Sequence, residues 1–534
     1  MDNIFTHVPY EETGYFSKLV TDYISNDARI QPFYGFAPNA AGLEQAIAER
    51  SKYPVNRKAL VAALNKQYEQ LNKHEKTETN LALLLKENTF TVCTAHQPNL
   101  MTGYLYFIYK ILHAIKLADE LQEIHPDKHF VPVYYMGSED NDLEELGTFR
   151  FRGNKYVWDG NGQKGAVGRM DTTSLKPLLS EVFKLFGPPG TNYNELKDML
   201  TKAYLQHKTV GKATQYLVNE LFGRFGLVVL DPDEAGLKAE FIPVMEDELL
   251  HQNSNPVITK QIELLGEHYK IQAHPREINL FYLSDQLRER IERKGEVWEV
   301  VNTDITFTQT EILNELKQHP ERFSPNVMLR GLYQETILPD VAFIGGGAEV
   351  AYWLQLKTLF EHYNVFYPSI HLRQSVQWMN GAQENLIKQL ELAIPEIFKP
   401  EQQLIRELVT KHAGNEWRTN SEIAEIETIF KTLKQKATRL DATLDAAAET
   451  VLAKMTHQLV EMEKKMLRAE KRKLDVQIAR IERLKKAVFP NNGLRERIEN
   501  FTEYYLEYGA AFFDTIIKGM EPMRKEFLIV SSRA

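Results

Sequence analysis

The chain has little cysteine and no excess of positive charge. Its 534 residues contain one cysteine, so an intrachain disulfide is impossible and a reducing cytoplasm is the expected compartment. The formal net charge of −9 argues against general nucleic-acid binding, because that function uses a basic face. No apolar run approaches the roughly 20 residues of a membrane span, and the acidic N-terminus lacks a signal-peptide pattern. With 43% hydrophobic and 26% charged residues, the chain is predicted to be globular and to hold two or more domains.

A strand, a polar turn and a long apolar helix follow one another in residues 90–121. This unit opens nucleotide-binding α/β domains. We expect the turn to leave free backbone N–H groups at the start of the helix, where a phosphate or carboxylate is favoured. A plain connecting loop is the alternative. The candidate catalytic residues of this turn are His96, Gln97, Asn99 and Thr102, and the candidate substrate-binding residues are Gly103 and Tyr106.

The second predicted strand covers residues 129–136, and an acidic turn follows it. Five carboxylates occur within seven residues of this turn, and they need a positive partner such as Mg²⁺, an ammonium group or an arginine. We favour organic ligands over Mg²⁺. The alternative is that Ser138 caps the next helix, with the acidic residues in its first turn. The candidate ligand-binding residues are Ser138, Glu139, Asp140 and Asp142.

A glycine-rich turn at residues 345–347 lies between a short strand, 341–344, and a predicted helix, 348–360. Its candidate substrate-binding residues are Gly345, Gly346, Glu349 and Tyr352. Further strands are predicted at residues 225–231 and 366–370. Several strand ends with polar or glycine-rich turns indicate an open parallel sheet of the Rossmann-like type, with helices on both faces.

Two connecting regions are predicted to interrupt this sheet, and a helical arm follows it. The predicted division is 1–146 for the N-terminal helices and first half of the core, 147–215 for a first insertion that begins with a β-hairpin, 216–272 for the continuing core, 273–326 for a second insertion, 327–373 for the end of the core, 374–488 for the coiled-coil arm, and 489–534 for a segment that returns to the core.

Within the arm, residues 422–488 are predicted to form one helix with a narrow apolar seam, spanning on the order of 100 Å. Such a seam needs a partner. Residues 383–412 can supply part of it, and a second subunit can supply the rest, so we predict a homodimer. The polar loop 491–497 lies at the root of the arm. There Lys486, Asn491, Arg495 and Arg497, beside Lys485, could form a second pocket for a nucleotide; solvated surface charge is the alternative.

The single thiol, Cys93, lies within the first strand. No histidine or basic residue stands beside it to lower its pKa, so we do not expect it to be a nucleophile.

Four runs in this order resemble the BshC family of bacillithiol biosynthesis. They are T-x-H-Q-P-x-L-x-T-G-x-L-Y-x-I-Y-K at 94–110, VPVYYMGSEDNDLEE at 131–145, LPDVAFIGGGAEVAYWLQLK at 338–357, and AVFPNNGLRERIEN at 487–500. The chain departs from the family pattern at Asn99, where glycine is frequent, and at Gly347, where another small residue is common.

The resemblance implies a fold like that of class I nucleotidyltransferases and an enzyme that joins cysteine to glucosaminyl-malate, the last step to bacillithiol. Amide formation requires an activated carboxyl, so the resemblance also implies ATP or another nucleotide, with Mg²⁺ as an optional companion and no protein metal site. His96 and Gln97 stand near the paired-histidine signature of those enzymes, but the second histidine and a KMSKS-like loop are missing. The alternatives are a non-catalytic nucleotide- or metabolite-binding coiled-coil protein, and an aminoacyl transferase that uses pre-activated cysteine.

Overall fold

The computed structural model describes residues 3–414 and 416–532. Its strands are β1 (Asn3–Pro9), β2 (Thr89–His96), β3 (His129–Met136), β4 (Thr148–Phe151), β5 (Asn154–Val157), β6 (Val228–Leu230), β7 (Leu280–Ser284), β8 (Leu287–Lys294), β9 (Val297–Val300), β10 (Thr306–Thr308), β11 (Phe323–Pro325), β12 (Asp340–Gly345), β13 (Ser369–Leu372), β14 (Val376–Met379) and β15 (Glu526–Ser532).

The helices before the arm are α1 (Tyr10–Thr13), α2 (Lys18–Ile24), α3 (Ala40–Arg50), α4 (Arg57–Gln67), α5 (Glu75–Leu83), α6 (Leu105–Ile124), α7 (Leu143–Leu146), α8 (Lys176–Lys184), α9 (Thr191–Gln206), α10 (Val210–Phe222), α11 (Ala235–Ala239), α12 (Ile242–Leu250), α13 (Ser254–Gly266), α14 (Gln309–Gln318), α15 (Val327–Ile337), α16 (Gly347–Trp353) and α17 (Lys357–Tyr363). Those of the arm and the C-terminal segment are α18 (Gly381–Gln389), α19 (Glu401–Ala413), α20 (Asn420–Leu440), α21 (Leu444–Lys473), α22 (Asp475–Val488), α23 (Phe501–Tyr508) and α24 (Ala511–Gly519).

The predicted open parallel sheet is confirmed. Its strand order is β13-β12-β2-β3-β6, and every neighbouring pair is parallel. The residues of β2 are buried up to its last position, because helices cover both faces of the sheet. The register pairs His96 with Met136, and Gly345 with Leu372. The carboxyl ends of these strands therefore lie along one edge.

Alternate residues of the central strands enter two different cores. Tyr135 packs with Cys93 on one face, whereas Tyr134 and Met136 pack with residues of α6 on the other. This alternation, which follows from the two-residue period of a strand, fixes which side chains can reach the edge.

The two predicted insertions contain the expected β structure. The first holds the hairpin β4–β5 followed by helices, and the second holds an antiparallel sheet of order β10-β9-β8-β7-β11. Strand β8 is absent from our sequence prediction because its sequence, LRERIERK, is mostly charged. Its side chains are mostly half-buried, as expected for a strand that faces water and a polar cavity.

Several predicted boundaries are wrong. The strand at 225–231 is confined to β6, and the one at 366–370 begins later, as β13. The helix predicted at 348–360 is broken into α16 and α17, and the C-terminal segment contains two helices, α23 and α24. Gly509, with a φ of 60°, ends α23 in a conformation that other residues rarely adopt.

The prediction of one long arm helix is also wrong. Helix α20 ends at Leu440, and α21 packs against it in the opposite direction: Lys434 pairs with Glu449 at 2.5 Å, and the Thr419 amide donates to Glu463 at 2.9 Å. The carboxylate of Asp441 accepts the backbone N–H of Thr443 at 2.8 Å, which stabilises the reversal. The partner of the seam is therefore a helix of the same chain. Helix α19 packs on α22 as expected for residues 383–412.

The first and last strands pair with each other. Strand β15 is antiparallel to β1 and parallel to β14, and the three form a separate small sheet. The return of the C-terminal strand is confirmed, but β1 and β14 are missing from our prediction, which made the N-terminal region entirely helical. No helix of residues 3–414 or 416–532 is long and apolar enough to cross a membrane.

Candidate active site

A cavity of about 510 Å³ opens at the carboxyl edge of the central sheet. The turns after β2, β3 and β12 form its floor, and residues of the second insertion and the C-terminal segment complete it. Its charged lining residues are Lys110, Glu139, Asp140, Glu145, Arg288, Arg330, Glu349, Arg373 and Arg497. The three polar turns predicted from the sequence therefore meet at one place.

His96 is the last residue of β2 and lines this cavity. Its ring lies 5.4 Å from the ring of Tyr106, edge to face, and 5.2 Å from the ring of Phe107. Its Nε2 is buried and has no hydrogen-bond partner in the described part of the chain. Burial, followed by the positive charges of nearby lysine and arginine, holds the pKa of His96 well below its usual range. A neutral imidazole is thus available to hydrogen bond a ligand.

Only some of the other candidates of the first turn face the cavity. Gln97 and Tyr106 line it, whereas Asn99, Thr102 and Gly103 do not. Gly103 is required by the turn itself: its φ is 65°, and a Cβ there would lie 2.9 Å from the Asn99 side chain.

The first N–H group of α6 is not free. The backbone N–H of Leu105 donates to the carbonyl of Glu499 at 2.8 Å, and the side chain of Asn500 donates to the Met101 carbonyl at 2.7 Å. The C-terminal segment therefore covers part of this helix end, and a phosphate or carboxylate site there stays a prediction.

Three carboxylates of the acidic turn have partners within the protein. Glu139 forms a buried ion pair with Lys238, and Asp140 accepts a hydrogen bond from Gln97 at 3.1 Å. Asp142 is exposed and caps α7 by accepting the Glu145 N–H at 3.0 Å. The helix cap is therefore Asp142.

Ser138 has a different role from the one proposed as an alternative. It donates to the buried carboxylate of Asp231 at 2.6 Å and caps no helix. Of the four candidates in the acidic turn, only Glu139 and Asp140 line the cavity.

The glycine-rich turn places Glu349 beside a buried lysine. One carboxylate oxygen of Glu349 accepts the Gly346 N–H at 2.8 Å and lies 2.6 Å from the ammonium of Lys110. Tyr352 hydrogen bonds to Arg330, and both line the cavity. Gly345 is the last residue of β12 and lies outside the lining.

Four cations of the lining are missing from the sequence candidates: Lys110, Arg288, Arg330 and Arg373. Arg373 directly follows β13, so the rule that ligands bind at the carboxyl ends of such strands could have found it. Lys110 lies on an apolar helix, and its sequence pattern is that of a core position. Arg288 and Arg330 come from segments whose placement over the sheet no local pattern reveals.

The candidates of the proposed second pocket make different contacts. The ammonium of Lys485 donates to two backbone carbonyls at 2.9 Å each, and Lys486 and Asn491 are exposed. Arg495 pairs with Glu499 at 2.8 Å, whereas Arg497 lines the main cavity. A second nucleotide pocket at these residues stays a prediction.

Cys93 is fully buried, and burial raises the pKa of its thiol well above the usual range. It does not line the cavity. Within residues 3–414 and 416–532, no group of three or more His, Cys, Asp or Glu side chains is placed to hold a metal ion.

The cavity carries charges of both signs, and they are mixed: Arg288 contacts Asn141 of the acidic turn, and Glu349 lies at the glycine-rich turn. The turn after β3 contributes Glu139 and Asp140, and burial raises the pKa of Glu145 nearby. Arg373, which follows β13, and Arg330 lie on the side of the glycine-rich turn. Such a cavity can hold a molecule with an ammonium group and another with an anionic group.

The fold and the cavity define a Rossmann-like α/β enzyme with a C-terminal coiled-coil arm. The N-terminal Rossmann-like domain of the bacillithiol biosynthesis protein BshC matches residues 4–374, and its C-terminal coiled-coil domain matches residues 376–532. The chain therefore belongs to the BshC family.

Curated relatives agree with this assignment. A Flavobacterium johnsoniae protein named "Putative cysteine ligase BshC" is 40% identical over 98% of this chain and 99% of its own length. Relatives of the same name from Cytophaga hutchinsonii and Bacillus cytotoxicus are 40% and 26% identical, and each alignment covers at least 94% of both chains.

Proposed function

We propose that the protein is a ligase that joins the carboxyl group of cysteine to the amine of glucosaminyl-malate, as the last step of bacillithiol synthesis. The observation that carries the proposal is the cavity, in which the neutral His96 occurs together with acidic and basic groups. Both substrates carry an amine and at least one carboxylate. The family membership supports the same reaction.

ATP is the activating co-substrate in this proposal. The cysteine carboxylate attacks the α-phosphorus and displaces pyrophosphate, which gives an acyl adenylate. The sugar amine then attacks the acyl carbon, AMP leaves, and the amine loses a proton. Mg²⁺ enters only as the companion ion of the nucleotide phosphates.

Two groups of the chain have assigned roles in this scheme. The unpartnered Nε2 of His96 binds the oxygen on which negative charge develops, as a neutral hydrogen-bond donor. Asp140, in the acidic turn, accepts a hydrogen bond from the ammonium of cysteine.

The direct test is turnover with purified full-length protein. Cysteine, glucosaminyl-malate and Mg-ATP should together give the amide product by mass spectrometry, with one AMP formed per amide, and omission of any of the three should abolish it. ADP in place of AMP would indicate an acyl phosphate. Product formed only from cysteine supplied as a thioester would identify an aminoacyl transferase, and no product under any condition would favour a binding protein.

The arm is proposed to make the protein a homodimer. Although α20 and α21 cover each other, large apolar side chains along both remain exposed: Ile429, Leu433, Leu440, Leu444, Val451, Met455 and Met462 are between 40% and 84% exposed. Apolar side chains repeated along one paired helix surface favour a further partner, and a two-fold contact between copies is the commonest arrangement.

A further inference from the structure

Arg373 and Glu496 form a buried ion pair between the sheet edge and the C-terminal segment. The two terminal nitrogens of Arg373 donate to the two carboxylate oxygens of Glu496 at 2.8 and 2.7 Å. The residues are 5% and 1% exposed. Glu496 also accepts from Ser375 Oγ at 3.1 Å. This geometry fixes the plane of the guanidinium group.

The third nitrogen of this guanidinium is left unused. Arg373 Nε is buried and has no hydrogen-bond partner among the residues that the structure describes. A Cβ built on Gly346 would lie 3.9 Å from it, so Nε lies beside the glycine-rich turn in the cavity lining. Buried donors without partners are rare, and each needs an explanation.

A planar guanidinium has two usable edges. Glu496 occupies the terminal edge, which leaves the side edge formed by Nε–H and the second N–H of the adjacent terminal nitrogen. Two parallel donors in this arrangement match the two oxygens of a carboxylate. Arg330 lines the same cavity and adds positive charge, whereas the charge of Lys110 is balanced by Glu349.

We propose that the side edge of Arg373 is a binding site for a non-reacting carboxylate of the substrate, and that Glu496 is the positioning residue that aims it. This inference rests on the proposed function for the identity of the substrate. The cysteine carboxyl must be free to react, so it cannot remain in a two-point clamp. The carboxylate bound is therefore one of the malate group of the amine substrate.

Binding of L-malate to the full-length protein, measured by calorimetry, tests the site without turnover. Arg373→Gln removes the charged fork and should weaken malate binding by roughly 10- to 100-fold. Glu496→Gln should weaken it less, because the fork remains but is no longer fixed. As a control, Asp514→Asn removes the partner of Arg224 in an exposed pair of the same segment, at 2.7 Å, and should change nothing.

Steady-state kinetics provides the second readout. In both variants the KM for glucosaminyl-malate should rise while kcat and the KM for cysteine and ATP stay near wild type, because the contact is made in both ground and transition states. The double variant Arg373→Gln/Glu496→Gln should match Arg373→Gln alone. A general loss of folding would instead lower the active fraction and leave each KM unchanged.

Other outcomes overturn the proposal. A raised KM for cysteine would assign the clamp to the reacting substrate, and a raised KM for ATP would assign it to a phosphate. If the effects of the two substitutions on malate binding add in the double variant, Glu496 has a role that is independent of Arg373. If Arg373→Gln binds malate as wild type does, the carboxylate site is excluded and the ligase proposal is unaffected. If Arg373→Gln loses malate binding but the wild-type protein shows no ligase activity, only the ligase proposal is excluded.

Discussion

The ammonium of Lys110 lies 2.6 Å from a carboxylate oxygen of Glu349, although the two residues are far apart in the chain. The pair joins helix α6, which follows the first polar turn, to the start of α16, which follows the glycine-rich turn. Lys110 is 2% exposed, so its charge depends on this partner and on the carbonyl of Ala95. The ion pair therefore fixes the first polar turn and the glycine-rich turn relative to each other.

Replacement of Lys110 by methionine should therefore destabilise the protein. It keeps the length of the side chain but leaves the Glu349 carboxylate without its cation, and loss of one member of a buried pair costs about 3 kcal/mol. The free energy of unfolding in urea measures the effect. The control is Lys52→Met, because Lys52 and Glu49 also lie 2.6 Å apart but are exposed. Equal losses in the two variants would contradict the burial argument.

His96→Ala should abolish most activity without unfolding the protein. Removal of a donor that stabilises developing charge typically costs about 10²–10³ in rate. The reason for expecting a modest stability change is that Nε2 has no partner to lose among the described residues. Activity and melting temperature should be measured on the same preparation. A large fall in melting temperature would make His96 a structural residue.

The acidic turn offers a matched pair of variants. Asp140→Asn should raise the KM for cysteine, because Asp140 lines the cavity and the amide carries no charge for an ammonium group. Asp142→Asn should leave both activity and stability near wild type, since Asp142 only caps α7 and asparagine caps equally well. Steady-state kinetics on both variants checks this. Equal effects, or none in Asp140→Asn, would remove the acidic turn from the site.

Stability should depend on pH through the buried Asp340 at the opposite end of β12. Burial raises its pKa from 3.8 to about 6. Between these two pH values the carboxyl group is protonated in the folded protein but ionised in the unfolded chain. The stability that this group contributes is therefore complete below about pH 4 and is lost as the pH rises through about 6. Burial, together with the charge of Asp340, also raises the pKa of the neighbouring Glu335, so Asp340→Asn should lose less stability than wild type between pH 4.5 and pH 7 in urea unfolding. Parallel pH profiles for the two proteins would contradict the shift.

The proposed dimer can be tested at the exposed surface of the arm. Light scattering at micromolar concentration should give twice the mass of the 61.8 kDa chain. The double variant Leu433→Lys/Val451→Lys should be monomeric, because both side chains are exposed on neighbouring helices of the arm. Ile124→Lys, at an exposed position of the Rossmann-like domain, is the control and should remain dimeric. A monomeric wild type would exclude the dimer.

The sequence predicts most of the sheet and the location of the cavity for one physical reason. Strands β2 and β3 are continuous apolar runs that end in polar turns, so their type and their ends are visible locally. Side chains at those ends, such as His96, Asp140 and Glu349, reach the cavity because parallel strands align their carboxyl ends.

The features that the sequence does not reveal depend on contacts between distant segments. The reversal at Asp441 contains no glycine or proline, so the seam of two antiparallel helices resembles that of one long helix. Asn99 and Thr102 have the residue types of a site, but the C-terminal segment covers their turn. Conversely, Arg288 and Arg330 line the cavity from segments whose position over the sheet no local sequence pattern predicts.

The pairing of β1 with β15 has a consequence for how the protein is made. Strand β1 leaves the ribosome before its partner, which is synthesised more than five hundred residues later. The segment that carries Glu496 and Asn500 is also synthesised after all five strands of the parallel sheet. An unfinished chain therefore lacks part of the cavity wall and has a strand edge without its partner. The cavity is completed only when this segment packs against the sheet, and strand β1 must be kept from pairing with other chains in the meantime.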